Sequence, residues 1–207
     1  MKNIIAVGAH PDDIELGCGA TIAYYVDEGY SVMGVILTNG EKERGNAQQR
    51  VKETELALKS LGAKEIVFGN YPDTKIPGDH TVIEFLENQI DRFNPVLAII
   101  PSVNEVHQDH RTAAQVSITA FRSVPKILSY ESPTVTQFFR PTFFVDVTKY
   151  LAQKQEALEF HKSQKKEIYM ERDAMLNLAK FRGRQTKVEL AEAFEVTRFL
   201  TNPEEEQ

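Results

Sequence analysis

The stretch from Val7 to Gly17, VGAHPDDIELG, places one histidine and three carboxylates within six positions. It overlaps the end of Ile4–Val7, a short apolar run that is typical of a buried strand in a parallel sheet. A chain that only has to fold does not need so much charge immediately after a buried strand. The stretch therefore predicts the first half of a catalytic metal site, at the carboxyl end of the first strand.

Composition limits the class of protein. The chain has 207 residues, of which 42% are hydrophobic and 26% are charged, and its net charge is −6. These values predict one globular domain over residues 1–207, with a frayed acidic tail from about residue 201. Acidic and basic residues are interspersed, which argues against a nucleic-acid or membrane-surface partner, because both favour a concentrated basic face.

Cysteine content and hydropathy bear on the compartment in which the protein works. Cys18 is the only cysteine, so we expect neither a disulfide framework nor a thiolate-rich zinc site, and a reducing cytoplasm fits. Acidic residues interrupt the apolar stretch near the N-terminus, so no signal peptide is expected. No run approaches the roughly 20 apolar residues that a membrane span requires.

Hydrophobic periodicity predicts strands that alternate with helices. The predicted strands are Ile4–Val7, Ser31–Leu37, Glu65–Phe68, Val96–Ile100, Ile127–Tyr130 and Phe143–Val147. The predicted helices are Gly17–Asp27, Ala47–Leu61, Thr81–Phe93, Arg111–Phe121 and one long helix from Lys149 to about Phe181. A basic loop at residues 182–184 and a final helix or strand are predicted to complete the chain.

This alternation predicts an α/β fold, with a Rossmann-like, mostly parallel sheet and helices on both faces. The first four strands fit the spatial order 3-2-1-4, in which the carboxyl ends of strands one and four lie side by side and open a ligand-binding crevice. Strand four is followed by Val103–His110, VNEVHQDH, which carries two more histidines and two more carboxylates. The two polar motifs should therefore meet in the crevice.

The residue types in the two motifs indicate metal-assisted hydrolysis. Imidazole and carboxylate groups without thiolate suit zinc or another divalent first-row metal. Three protein ligands leave a coordination position for water, which is the arrangement of a catalytic zinc site. Such a metal activates water for attack on a carbonyl, while a spare carboxylate can accept the proton and a spare histidine can stabilise the oxyanion.

The motifs resemble those of a known family. Residues 10–13 (HPDD), 16–19 (LGCG) and 107–110 (HQDH) are similar to the signature of the LmbE-like, or PIG-L, zinc-dependent N-acetylglucosaminyl deacetylases. The resemblance covers most of the chain. Further matching segments are RVKE at 50–53, YPD at 71–73, and a pattern of Lys, Ala-Leu and His-Lys-Ser-Gln between residues 154 and 164.

The resemblance implies roles for residues of the two motifs. It implies three zinc ligands, which are His10, Asp13 and His110. It implies that Asp12 is the general base for the attacking water, and that His107 stabilises the oxyanion or protonates the leaving amine. Asp109 would orient a ligand histidine from outside the metal's own ligand set.

Substrate contacts are expected outside the metal motifs. Arg50 and Asp73 match positions that hold sugar hydroxyls in related enzymes, and Arg44 follows strand two at the same edge of the predicted sheet. Two positions depart from the family pattern. Gln108 replaces the usual proline, and Glu105 stands where some members carry a tyrosine, so Glu105 is expected to shape the acyl end of the pocket.

Several polar residues also have simpler interpretations. The first motif could be a turn whose polar groups only cap the next helix, and Glu15 could serve only the start of that helix. Cys18 could be a small buried apolar residue rather than a nucleophile. His161 could be structural or could reach the pocket rim. Arg182 and Arg184 could contact an anionic substituent or lie on the surface.

We therefore expect a zinc-dependent hydrolase that removes the N-acetyl group from an N-acetylglucosamine-type amino sugar or its conjugate. Its partner would be that small molecule, and assembly into a homo-oligomer is compatible with the resemblance. Two alternatives remain open. The same metal site could hydrolyse another acyl amide, or the chain could be a non-catalytic Rossmann-like module that binds a ligand without a metal.

Overall fold

A seven-stranded mixed sheet organises the computed structural model, which describes residues 2–201. The strands are β1 (Asn3–Gly8), β2 (Ser31–Thr38), β3 (Glu65–Tyr71), β4 (Leu97–Pro101), β5 (Lys126–Tyr130), β6 (Phe143–Asp146) and β7 (Ala191–Phe199). Their spatial order is β3-β2-β1-β4-β5-β7-β6. The first five strands pair in parallel, and β7 is antiparallel to β5 and β6. The predicted order 3-2-1-4 is confirmed.

The described residues form six α-helices, which are α1 (Asp13–Asp27), α2 (Ala47–Ser60), α3 (His80–Phe93), α4 (Gln108–Ala120), α5 (Leu151–Leu158) and α6 (Arg172–Thr186). Three helices start earlier than the sequence predicts, α3 by a single residue and the other two by a larger step. Helix α1 begins inside the first acidic motif, and α4 begins inside the second. Residues of both motifs are therefore held by the first turns of helices rather than by free loops.

Two apolar clusters lie on opposite faces of the sheet. Because side chains alternate along a strand, Ile4 and Ala6 of β1 belong to one cluster, with residues of α1 and α5. Ile5 and Val7 belong to the other, with residues of α3 and α4. Burial of each isoleucine or valine side chain among them stabilises the fold by about 1.5–3 kcal/mol. The predicted α/β architecture, with helices on both faces, is confirmed.

The long helix predicted for residues 149–181 is wrong. Helix α5 ends at Leu158, two short 3₁₀ turns follow at Lys162–Gln164 and Ile168–Met170, and α6 starts at Arg172. The chain turns because His161 and Gln164 are buried against other parts of the protein, and these contacts override the local helical pattern.

Two further expectations concern the C-terminal part. The residues predicted as a basic loop, 182–184, lie inside α6, and the last predicted element is the strand β7. Of the predicted frayed tail, residues 202–207 lie outside the described part of the chain. None of the helices within residues 2–201 combines the length and the apolar character that a membrane crossing requires.

Gly17 lets the first turns of α1 lie directly against β5. A Cβ atom at this position would lie 2.1 Å from Cδ2 of Tyr130. The Tyr130 hydroxyl donates a hydrogen bond to the carbonyl oxygen of Val7, at 3.2 Å. The same close contact therefore supports both the end of β1 and the start of α1, which carry the first polar motif.

We expect Gly17→Ala to lower the free energy of unfolding by about 1–3 kcal/mol, because the added methyl group overlaps the Tyr130 ring. Urea denaturation measures this change. Gly78→Ala is the matched control, since the nearest atom to its added Cβ would be Cγ2 of Thr112 at 3.7 Å. Equal stability of the two variants would contradict the tight contact at Gly17.

Candidate metal centre and active site

The two polar motifs meet where β1 and β4 end. The two strands are parallel neighbours in the register Ile4 with Leu97, so their carboxyl ends lie at the same edge of the sheet. His10 lies just past the end of β1, separated from it by Ala9, and Asp13 is the first residue of α1. His110 lies in the first turn of α4.

The three predicted ligands, His10, Asp13 and His110, form a compact triangle, which we call the metal triangle. Nδ1 of His10 lies 3.2 Å from Nε2 of His110 and 3.6 Å from Oδ2 of Asp13. Nε2 of His110 lies 3.2 Å from Oδ1 of Asp13. Tetrahedral ligands about 2.1 Å from one zinc ion stand roughly 3.4 Å from one another. The spacing of these donor atoms therefore fits a single divalent metal ion.

His10 is fixed from its far side by two carboxylates. Its Nε2 lies 3.2 Å from Oδ2 of Asp109 and 3.2 Å from Oδ1 of Asp73. These three side chains could also hold an ion, but both carboxylates already accept backbone hydrogen bonds from Thr74 and Lys42, at 2.7 and 2.9 Å. Asp109 and Asp73 are better suited to orient His10, which leaves its Nδ1 free to bind a metal.

The electrostatics of the triangle favour a bound cation. Burial lowers the pKa of His110, but the carboxylates of Asp13 and Glu105 outweigh burial and raise it to about 10. Burial raises the pKa of Asp13, but His110 and His10 outweigh it and hold that pKa well below its usual range. Ionised carboxylate in a buried setting stabilises positive charge beside it, which is what a divalent metal would supply.

Asp12 lies next to the triangle in a strained backbone conformation. Its φ of 104° is in the left-handed region, which costs on the order of 1–3 kcal/mol for a residue other than glycine. Nη2 of Arg50 donates to the carbonyl oxygen of Pro11 at 2.6 Å and lies 3.4 Å from Oδ2 of Asp12. Burial raises the pKa of Asp12 to about 7, and Arg50 opposes that shift.

His107 presents a hydrogen-bond donor to the same cavity. Its ring centroid lies 4.8 Å from that of His10 and 4.9 Å from that of His110. Its Nδ1 accepts a hydrogen bond from the backbone N–H of Asp109, at 3.2 Å, so a neutral ring carries its proton on Nε2. Burial lowers the pKa of His107, and both neighbouring histidines lower it further.

A cavity of about 100 Å³ opens over these groups. Its wall includes all five predicted ligand and catalytic residues, which are His10, Asp12, Asp13, His107 and His110. Glu43, Thr134 and Tyr169 also line it. Glu43 and Thr134 lie in loops, Tyr169 lies in the second 3₁₀ turn, and none of the three belongs to a metal motif.

The predicted substrate contacts lie in different places. Arg50 and Asp73 are buried and already bonded within the protein, to the residues described above. Glu105 is buried as well: it accepts hydrogen bonds from Ser132 and Thr134. Its Oε1 lies 3.3 Å from Nδ1 of His110.

Arg44 differs from these three because its side chain is exposed. Its Nη1 lies 3.3 Å from Oε1 of Glu167. The part of the cavity wall that the structure describes contains none of the four predicted substrate contacts. The other three contact site residues instead: Arg50 lies against Asp12, Asp73 against His10, and Glu105 against His110. Contact of these three side chains with a sugar stays a prediction.

Sequence reasoning missed a buried ion pair behind Asp12. Nε2 of His161 lies 3.0 Å from Oε1 of Glu15, and both side chains are fully buried. Nearby, the Ser163 hydroxyl donates to Glu53 at 2.6 Å. The His-Lys-Ser-Gln motif at residues 161–164 was the one signal in the sequence, and it proves to be a segment packed behind the first motif.

Comparison with known proteins agrees with this geometry. Residues 5–121 match the family model described as PIG-L, GlcNAc-PI de-N-acetylase. The "uncharacterized deacetylase YaiS" of Escherichia coli K12 is 35% identical over 169 residues, which are 78% of this chain and 91% of that protein. The diacetylchitobiose deacetylase of Thermococcus kodakarensis is 27% identical over 188 residues, which are 79% of this chain and 70% of that protein.

A solved structure extends the likeness to the fold. The N,N'-diacetylchitobiose deacetylase from Pyrococcus horikoshii has a TM-score of 0.83 and 26% identity, and the match covers 95% of this chain and 84% of that one. The family model spans more than half of the chain and contains both polar motifs. The chain therefore belongs to the PIG-L, or LmbE-like, family, and it is a hydrolase of the de-N-acetylase type.

Proposed function

We propose that this protein is a zinc-dependent deacetylase that acts on an N-acetylglucosamine-type amino sugar or a conjugate of one. The observation that carries the proposal is the triangle of His10, Asp13 and His110, with donor atoms 3.2–3.6 Å apart. Asp12 and His107 line the same cavity. Relatives whose names refer to diacetylchitobiose and to an inositol-linked acetamido sugar support the substrate class.

His10, Asp13 and His110 would hold the ion. Their nitrogen and oxygen donors, without thiolate, suit zinc or another divalent first-row metal. When bound, the zinc ion supplies Lewis-acid chemistry, which polarises the amide carbonyl and lowers the pKa of water. Asp109 and Asp73 keep His10 in the orientation that offers Nδ1 to the ion.

The remaining chemistry belongs to Asp12 and His107. Asp12 accepts a proton from the attacking water, whose oxygen forms a bond to the carbonyl carbon. His107 donates from Nε2 to the carbonyl oxygen as negative charge develops there. The carbon–nitrogen bond then breaks, the proton held by Asp12 passes to the leaving nitrogen, and acetate and the free amine are released. Arg50 positions Asp12 for both transfers.

Location and assembly stay predictions. A reducing cytoplasm is expected because of the lone cysteine, and Cys18 is a buried free thiol. A small-molecule partner follows from the proposed reaction. A homo-oligomer, and the absence of nucleic-acid and membrane partners, rest on the sequence alone.

We expect the purified protein to contain about one zinc ion per chain, as a site with three protein ligands requires. His10→Ala and His110→Ala should each lower zinc content by at least about tenfold, because each removes one of three ligands. Plasma mass spectrometry measures the metal. His80→Ala is the control, since that histidine is exposed on α3. Full activity in rigorously metal-free protein would contradict the proposed metal site.

We expect Asp12→Asn to reduce kcat on diacetylchitobiose by about 10²–10⁴-fold, because the amide cannot accept the proton of water. The variant should still bind zinc, since Asp12 is not part of the metal triangle. Asp91→Asn, at an exposed position of α3, is the control for loss of one carboxylate. Turnover at the wild-type rate by Asp12→Asn would show that another group is the base.

A further inference from the structure

A second cavity, of about 200 Å³, lies beside the candidate active site. Leu16, Pro133 and Tyr169 line both this cavity and the one over the metal triangle. The two spaces therefore adjoin at these three side chains. Nothing in the proposed deacetylation of a sugar uses the larger space, because an acetyl group adds only one methyl carbon beyond the carbonyl.

The wall of this cavity suits a hydrocarbon. Helix α6 contributes the apolar side chains Ala174, Met175, Leu178 and Ala179, and β7 contributes Ala191 and Ala193. The four charged residues of the wall are paired with one another. Nε of Arg182 donates to Glu131 at 2.8 Å, and Nζ of Lys154 donates to Glu192 at 2.6 Å. Pairing satisfies these groups, so the remaining surface favours an apolar ligand over sugar hydroxyls.

Strand order indicates which part of the substrate points toward this cavity. The metal triangle lies between β1 and β4, and β2 and β5 lie on opposite sides of that pair. Glu43, in the polar loop after β2, lines one side of the active-site cavity, and Pro133, in the loop after β5, lines the other. A planar trans amide sends its two substituents in opposite directions. The amino sugar fits the polar side, so the acyl group points toward Pro133 and the apolar cavity.

We propose that this second cavity is a subsite for the acyl chain, so that the enzyme hydrolyses N-acyl amino sugars whose acyl group is longer than acetyl. This proposal rests on the proposed function and uses the same reaction. Water adds to the carbonyl carbon, the carbon–nitrogen bond breaks, and a fatty carboxylate leaves with the free amine. An apolar cavity of about 150 Å³ accepts benzene, so about 200 Å³ accommodates a chain on the order of six carbons.

The direct test is a series of N-acyl glucosamines carrying acetyl, butyryl and hexanoyl groups, assayed with the zinc-loaded enzyme. Each buried methylene is worth roughly three- to fourfold in affinity, so kcat/KM should rise by at least about tenfold from acetyl to hexanoyl. A fall in kcat/KM with chain length would overturn the subsite. Failure to hydrolyse every substrate, acetyl included, would instead count against the proposed function.

A second arm tests whether the cavity receives the aglycone. The hexyl glycoside of N-acetylglucosamine carries the same hydrocarbon on the other side of the amide. It should be hydrolysed no better than N-acetylglucosamine itself, within about threefold. A gain on the hexyl glycoside without a gain on N-hexanoylglucosamine would overturn the acyl assignment.

Variants of α6 connect the effect to the cavity. Ala179→Leu fills the space from its buried wall, and Ala174→Trp obstructs it from its exposed edge. Each should reduce the hexanoyl-to-acetyl ratio of kcat/KM by about tenfold, and a ratio measured on one preparation is independent of the folded fraction. Asn177→Trp, exposed on the same helix but outside the cavity wall, is the matched control and should keep the wild-type ratio. An unchanged ratio in both filling variants would overturn the proposal.

Discussion

The parallel pairing of β1 with β4 is the constraint on which the whole site depends. It brings together two motifs that lie about a hundred residues apart, so that Nδ1 of His10 and Nε2 of His110 are separated by 3.2 Å. Neither motif supplies all three proposed ligands, since the first carries His10 and Asp13 and the second carries His110. The strand order also opens the crevice between the two carboxyl ends, where α/β folds bind ligands.

The site concentrates ionisable groups in the interior, and the fold compensates by pairing them. Removing a charge from water costs several kcal/mol per ion in proteins, and here each buried charge has a partner within about 3.5 Å. Asp109 and Asp73 pair with His10, while Arg50 lies against Asp12. The same pairing fixes side-chain orientation, so the interactions that make burial tolerable also preorganise the site for catalysis.

The sequence predicted the parts of the structure that local pattern determines. Apolar runs located the strands of the parallel sheet, and the two polar motifs located the residues that form the metal triangle. The long C-terminal helix was predicted wrongly because helical periodicity continues through residues whose conformation is set by distant contacts. The buried pair of His161 with Glu15 joins residues 146 positions apart. The positions of Glu43 and Tyr169 in the cavity wall arise in the same way, from distant segments that only the folded chain brings together.

The break in that C-terminal helix has a consequence for function. Because the chain turns after α5, the segment around His161 packs behind Asp12 and α6 forms one wall of the apolar cavity. The proposed metal ligands and both proposed catalytic groups lie within residues 5–121, the part that matches the family model. The cavity wall comes almost entirely from Glu131 onward, apart from Leu16 and Gly17. In the proposed mechanism the first half of the chain thus supplies the hydrolytic chemistry, while the second half shapes the cavity that we propose for the acyl group.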